Sequence, residues 1–201
     1  MLPALANMAA TGYLLAALSA CPVPQKPATA IISPVTAPTQ IINSTASLTG
    51  DRDTAMTLQT GTKGELGFRT TDISPALACY ALDQFTLSIV VTPVVMINQK
   101  YTPNSCEYKA LSVRGRREVA DAMAAYNANL PMLQATLDTL AQGFTAPQPL
   151  TQGDILKLKD DFFKKANPVI DAKADELGKA VQSRLDAFYK QEAGKKISCE
   201  N

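Results

Sequence analysis

Few side chains in this sequence are equipped for chemistry. There are four cysteines, Cys21, Cys79, Cys106 and Cys199, and no histidine. Without imidazole there is no serine triad, no Cys–His dyad and no His-ligated zinc or haem. Carboxylates form two close sets, Asp160-Asp161 and Asp171 with Asp175. Either set would suit acid–base work, and the second stands one helical turn apart, a spacing that also suits a cation. Lys173 and Lys179 lie beside that second set, which makes surface ion pairing the better reading. Arg114, Arg116 and Arg117 form a basic run fitted to a partner carboxylate or a lipid head group. No Gly-rich phosphate loop, Gly-x-Ser-x-Gly elbow or convincing Ser-x-x-Lys motif is present. The residues imply no cofactor, no metal ligand and no catalytic set.

The amino-terminal cysteine has a specific setting. No charged residue precedes Lys26, and the apolar run Tyr13-Leu14-Leu15-Ala16-Ala17-Leu18 is shorter than the ~20 residues a membrane span needs. It reads as a signal-peptide core over residues 1–20. The segment ends in Leu18-Ser19-Ala20-Cys21, which resembles the lipobox of bacterial lipoproteins. That resemblance implies acylation of Cys21, cleavage before it and a membrane anchor in the cell envelope, facing the periplasm or at the outer membrane. The usual basic residue before the core is missing. The true start then lies upstream, or the free amino terminus supplies the charge.

Pro22, Pro24, Pro27, Pro34 and Pro38 follow at once. Residues 21–50 are rich in Pro, Thr, Ser and Ala and read as an extended tether. Ile31-Ile32 and Ile41-Ile42 are exceptions, suited to docking as short strands on a partner or on the chain itself.

Residues 51–201 read as a single domain. With Lys26 set aside, the 19 basic residues become 18, equal to the 18 acidic ones. A net charge of +1 argues against a nucleic-acid partner. Weak strands with a turn at Gly61-Thr62-Lys63-Gly64 are followed by the strongest strand signal. There Phe85, Leu87, Ile89 and Val91 alternate with smaller or polar residues, a period of two. Pro93 suggests an edge strand or a bulge between two strand pieces.

The remainder is helical. One stripe runs Val119, Met123, Tyr126, Leu130, Leu133, Leu137 and Leu140, and a second runs from Ile155 to Phe188, both at three- and four-residue steps. Kinks are expected near Pro131 and Pro168, a stop at Gly143 and a cap at Asp154. The expected class is α+β, a small antiparallel sheet followed by a long helical hairpin. With Cys21 carrying lipid, Cys79 pairs best with Cys106. That bridge closes a loop of about 28 residues and contributes roughly 3–4 kcal/mol. Cys106–Cys199 is the alternative that would pin the tail. On the favoured pairing, Cys199 is left for a partner or as a free thiol.

A longer pattern joins Cys79-Tyr80, the strand region, Ser105-Cys106-Glu107-Tyr108-Lys109-Ala110-Leu111 and a helix with Leu130-Pro131. Over residues 79 to about 140 it resembles exported zinc-peptidase-like proteins of bacterial envelopes. Those carry His-Glu-x-x-His on a helix, two ligands and a base on one face. Here the corresponding residues are Arg114-Gly115-Arg116-Arg117-Glu118. Arg114 and Glu118 hold the ligand positions and Gly115 the base position. The resemblance implies a relative that kept the fold and lost catalysis. Read without it, Gly115 is costly inside a helix, so the helix starts near Arg116 and these are solvated first-turn residues. The expected role is a non-catalytic envelope lipoprotein, a structural or accessory subunit of a secretion, pilus or motor apparatus. Its partners would be a membrane and other proteins. The alternatives are a divergent or inactive peptidase relative and a periplasmic lipoprotein binding a small apolar ligand.

Overall fold

A computed structural model describes residues 21–45, 53–146, 148–195, 197 and 199. The leader expected over residues 1–20 lies outside these. The elements are β1 (Thr29–Thr36), β2 (Gln40–Ser44), β3 (Thr54–Ser74), β4 (Leu77–Asn98), α1 (Cys106–Gln142) and α2 (Gln152–Glu192). The class is α+β, one four-stranded sheet and two long helices.

β4 is the strand with which β1, β2 and β3 all pair. Its sequence explains this position. Phe85, Leu87, Ile89 and Val91 are buried, as the alternation predicts, and from Pro93 onward Pro93, Val94, Val95 and Ile97 are buried with no alternation. A strand covered on both faces loses its period of two. β3 and β4 are joined by the two residues Pro75-Ala76, a length open only to antiparallel neighbours. β2 runs parallel to β4, from Gln40 opposite Val94 to Ser44 opposite Asn98. The sheet is therefore mixed, not antiparallel.

The parallel partners come from the segment read as a tether. Residues 29–36 and 40–44 are strands, and the two isoleucine pairs lie in them. The prolines mark the boundaries. The Ala37 amide donates to Val91 O at 2.8 Å, and pairing resumes at Gln40 with Val94. Pro93 faces the gap between those contacts, where its missing N–H interrupts no ladder. This is why a proline sits in a central strand that runs unbroken for 22 residues, rather than in an edge strand or bulge. The turn expected at residues 61–64 is also absent. β3 passes straight through, and Gly64 makes room for an aromatic ring, since a Cβ there would lie 2.6 Å from Phe163 Cε1.

α1 begins ten residues before Arg116, at Cys106, because Ser105 caps it. Its Oγ accepts from the Tyr108 amide at 3.1 Å. Residues 114–118 are thus helix interior, not a first turn. α2 opens with a capping box. The Asp154 amide donates to Thr151 Oγ1 at 3.2 Å, and the Thr151 amide donates back to Asp154 Oδ2 at 3.2 Å. Thr151 is the cap, and Asp154 is its reciprocal partner. Both helices continue through Pro131 and Pro168.

The chain divides into two compact units. Unit 1 takes the described parts of Met1–Ile31, Gly64–Thr86 and Ala135–Ile170. Its core is aromatic: Phe85 meets Phe162 at 5.2 Å between centroids, and Phe144 meets Phe162 at 5.8 Å. Unit 2 takes Ile32–Lys63, Leu87–Gln134 and Asp171–Asn201. Its core includes Val95, Ile97, Leu111, Tyr126, Leu185 and Phe188. Each unit holds one disulfide, Cys21–Cys79 in unit 1 and Cys106–Cys199 in unit 2. The expected Cys79–Cys106 bridge is not made, and Cys199 is neither free nor left for a partner. Folding of the amino-terminal segment onto β4 brings Cys21 to Cys79, which leaves Cys106 for the tail.

Non-reducing peptide mapping should recover cross-links joining Cys21 to Cys79 and Cys106 to Cys199, and none joining Cys79 to Cys106. The second bridge spans 93 residues. Replacing both Cys106 and Cys199 by Ser should lower the unfolding free energy by about 4 kcal/mol on loop entropy, read from urea melts.

Candidate functional site

The run from Arg114 to Glu118 lies in unit 2, on the face of α1 that packs inward. Leu111, Gly115, Glu118, Ala122 and Tyr126 are all buried, a three- and four-residue spacing. This stripe is offset from the expected one, whose Val119, Met123 and Leu130 are half-buried. Gly115 is the point of closest approach, because a Cβ there would fall inside the van der Waals surface of Val95 on β4.

Glu118, one turn further on, has no exposed surface. Three elements supply its partners. Thr54, at the start of β3 and 1% exposed, donates its hydroxyl to Oε1 at 2.8 Å. Tyr189, near the end of α2, donates its phenol to Oε2 at 3.2 Å. Arg114, a turn earlier on α1, places Nε 3.6 Å from Oε1. That separation is too long for a hydrogen bond but short enough for ion pairing. Sequence reading missed Thr54 and Tyr189, which come from distant parts of the chain. Glu118 itself was recoverable once α1 was started at Cys106, since it falls on the stripe through Leu111 and Ala122.

A second polar group adjoins this one in sequence. Lys100 Nζ lies 2.7 Å from the Asp53 carboxylate and 5.0 Å from the centre of the Tyr101 ring. Burial alone would raise the Asp53 pKa. Hydrogen bonds with Lys100 and Tyr101, together with the charges of Lys100 and Arg114, outweigh it and hold the carboxyl below its ordinary value. Glu192, near the end of α2, is likewise held low, first by its hydrogen bond with Lys195 and least by Arg114 and Arg117. Arg116 and Arg117 are exposed.

The arrangement does not fit zinc. Arg114 offers a cation where a ligand is needed, and Gly115 offers no base. The Glu118 oxygens are taken up by Thr54, Tyr189 and Arg114. Among the described residues no three His, Cys, Asp or Glu side chains cluster as metal ligands. The other carboxylate sets are surface features: Asp171 and Asp175 are exposed, and Asp161 pairs with Lys164 at 3.3 Å.

Cys21 lies in unit 1, where its sulfur is bonded to Cys79. A sulfur in that bridge has no valence for an acyl-glycerol thioether at the same time. The bridge borders an open cleft of about 450 Å³ in unit 1, lined by Pro22, Val23, Tyr80, Phe144 and Arg69 among others. Arg69 is engaged there by Asp83 at 2.9 Å and by the Lys26 carbonyl at 3.3 Å. Compared with protein-family models, curated proteins and solved structures, the chain finds no match.

Glu118→Ala should cost about 3–5 kcal/mol, because it strands the Arg114 charge. Thr54→Val should cost about 1–3 kcal/mol, and the two losses should be less than additive in a double-mutant cycle. Asp53→Asn should show the pH dependence of a depressed carboxyl. Its partnered state stabilises the fold above the ordinary carboxylate pKa of about 4, and this contribution is lost as pH falls through the lower folded value. The difference in melting temperature between wild type and Asp53→Asn should hold from pH 7 to 5 and close below about pH 4, corresponding to under ~1 kcal/mol for so exposed a pair.

Proposed function

We propose that this chain is a non-catalytic protein of the bacterial cell envelope, exported to face the periplasm. It serves as a structural or accessory subunit of an assembly such as a secretion, pilus or motor apparatus. The observation that carries this reading is Glu118. At the position where a peptidase-like helix would present a ligand, the carboxylate has zero exposure and is bound by Thr54, Tyr189 and Arg114. A catalytic acid or base must reach its substrate, and a group so enclosed supports a structural role. The two disulfides support export to an oxidising compartment. The balanced charge supports protein partners over nucleic acid. Retention at the envelope then rests on those partners, with Cys21 in its bridge.

The cleft beside Cys21–Cys79 favours a second reading, a small apolar ligand held between Val23, Tyr80 and Phe144. A ligand retained in native mass spectra, and lost on Tyr80→Ala, would support that role instead.

Affinity capture of the full chain from envelope fractions should give a stoichiometric complex of defined composition. The purified chain given zinc should hydrolyse no peptide. Recovery as a lone monomer, or zinc-dependent hydrolysis abolished by Glu118→Gln, would overturn the proposal.

A further inference from the structure

The two disulfides differ in how they meet solvent. In Cys21–Cys79, Cys21 is half-buried and Cys79 is 5% exposed. In Cys106–Cys199 both residues are exposed. Thiol–disulfide exchange needs a thiolate to reach one sulfur of the pair, so access decides which bridge reacts. The second difference is electronic. Cys106 is the first residue of α1, with Ser105 as its cap. The free amides of a helix N-terminus favour a cysteine thiolate, and a low-pKa thiolate is the better leaving group. Glu107 beside it and Lys109 one turn on, both exposed, oppose each other in charge, which leaves the helix amides as the net bias. Cys199 follows α2 and stands in no helix.

We infer that Cys106–Cys199 is an exchangeable bridge, and that Cys199 is a site of S-thiolation by a small monothiol of the glutathione class. Cys199 has no free thiol, so it takes another sulfur only by exchange. The incoming thiol gives its proton to solvent, and its thiolate attacks Cys199 Sγ. A new S–S bond forms there as the Cys106–Cys199 bond breaks, and the electron pair of the broken bond leaves on Cys106 Sγ as thiolate. One disulfide replaces another, so no separate oxidant or reductant enters. The exchange unlatches the tail. Past α2 the Lys195 amide and ammonium both bond back to Glu192, at 3.2 Å and 2.6 Å, and the bridge carries the chain on to α1. A disulfide stabilises chiefly by constraining the unfolded chain, so its opening leaves the core of Leu111, Tyr126, Leu185 and Phe188 packed.

The test treats the oxidised full chain with reduced glutathione at neutral pH, quenches with acid at short times, alkylates and maps the peptides by mass spectrometry. A glutathione adduct should form on Cys199 with Cys106 alkylated, about tenfold or more faster than Cys21–Cys79 opens. Far-UV circular dichroism should stay unchanged while it forms. Absence of the adduct, an adduct chiefly on Cys106, or equal rates of opening at the two bridges would overturn the inference. So would opening that occurs only together with loss of the helical signal.

Discussion

A carboxyl group at zero exposure constrains everything around it. Removing its oxygens from water is costly unless partners replace their hydration, so Glu118 dictates where those partners stand. Thr54 must lie at the start of β3, Tyr189 near the end of α2 and Arg114 one turn back on α1. Gly115 makes the depth possible. Because it carries no side chain, α1 lies against Val95, and Glu118 on the same face is carried inward with it. Any larger residue at 115 would lift the helix off β4 and separate the carboxylate from Thr54. The glycine that looked like a helix breaker is thus the contact that seats the helix.

The sheet rests on a related economy of backbone groups. Prolines within a sheet are tolerated where no ladder bond is asked of them. Pro93 in β4 stands opposite the interval between β1 and β2, and Pro38 lies within that interval. Two prolines therefore share one gap instead of breaking the ladder twice. On β1 the amides left over are taken by Asp138 and Gln134, which stand four residues apart on α1. Strand amides on one side recur about every 6.6–6.8 Å, and residues four apart on a helix rise about 6 Å. The near match lets one helix serve two successive amides.

What was legible in the sequence follows from how local each signal is. The helices were readable from their stripes, and the core of β4 from the alternation of Phe85 to Val91, because periodicity is written in neighbouring residues. The strands at 29–36 and 40–44 were obscured. Their proline and threonine content matches an extended tether, and a parallel strand owes its stability to a partner 54 residues away, at Val94 for Gln40. The disulfides were misassigned for the same reason. Pairing is set by which strand folds onto β4, and spacing alone does not reveal it. The Glu118 site was half legible. Its spacing from Arg114 is local, but Thr54 and Tyr189 lie 64 and 71 residues away.

Residues four apart on a helix stand one above the other on one face, which is why His-Glu-x-x-His can place two ligands on one metal ion. The same geometry does not require the cation to be a metal. With Arg at the first position and Glu at the second, the guanidinium becomes the cation, covalently held within 3.6 Å of the carboxylate. A metal would leave a polarised water facing a substrate. A guanidinium never deprotonates at ordinary pH, activates no water and can be enclosed. Enclosure in turn strengthens the ion pair, because field lines no longer pass through solvent. A helix whose face would suit a metal centre thereby becomes a fastening between α1, β3 and α2, and the absence of histidine from this chain is consistent with that exchange.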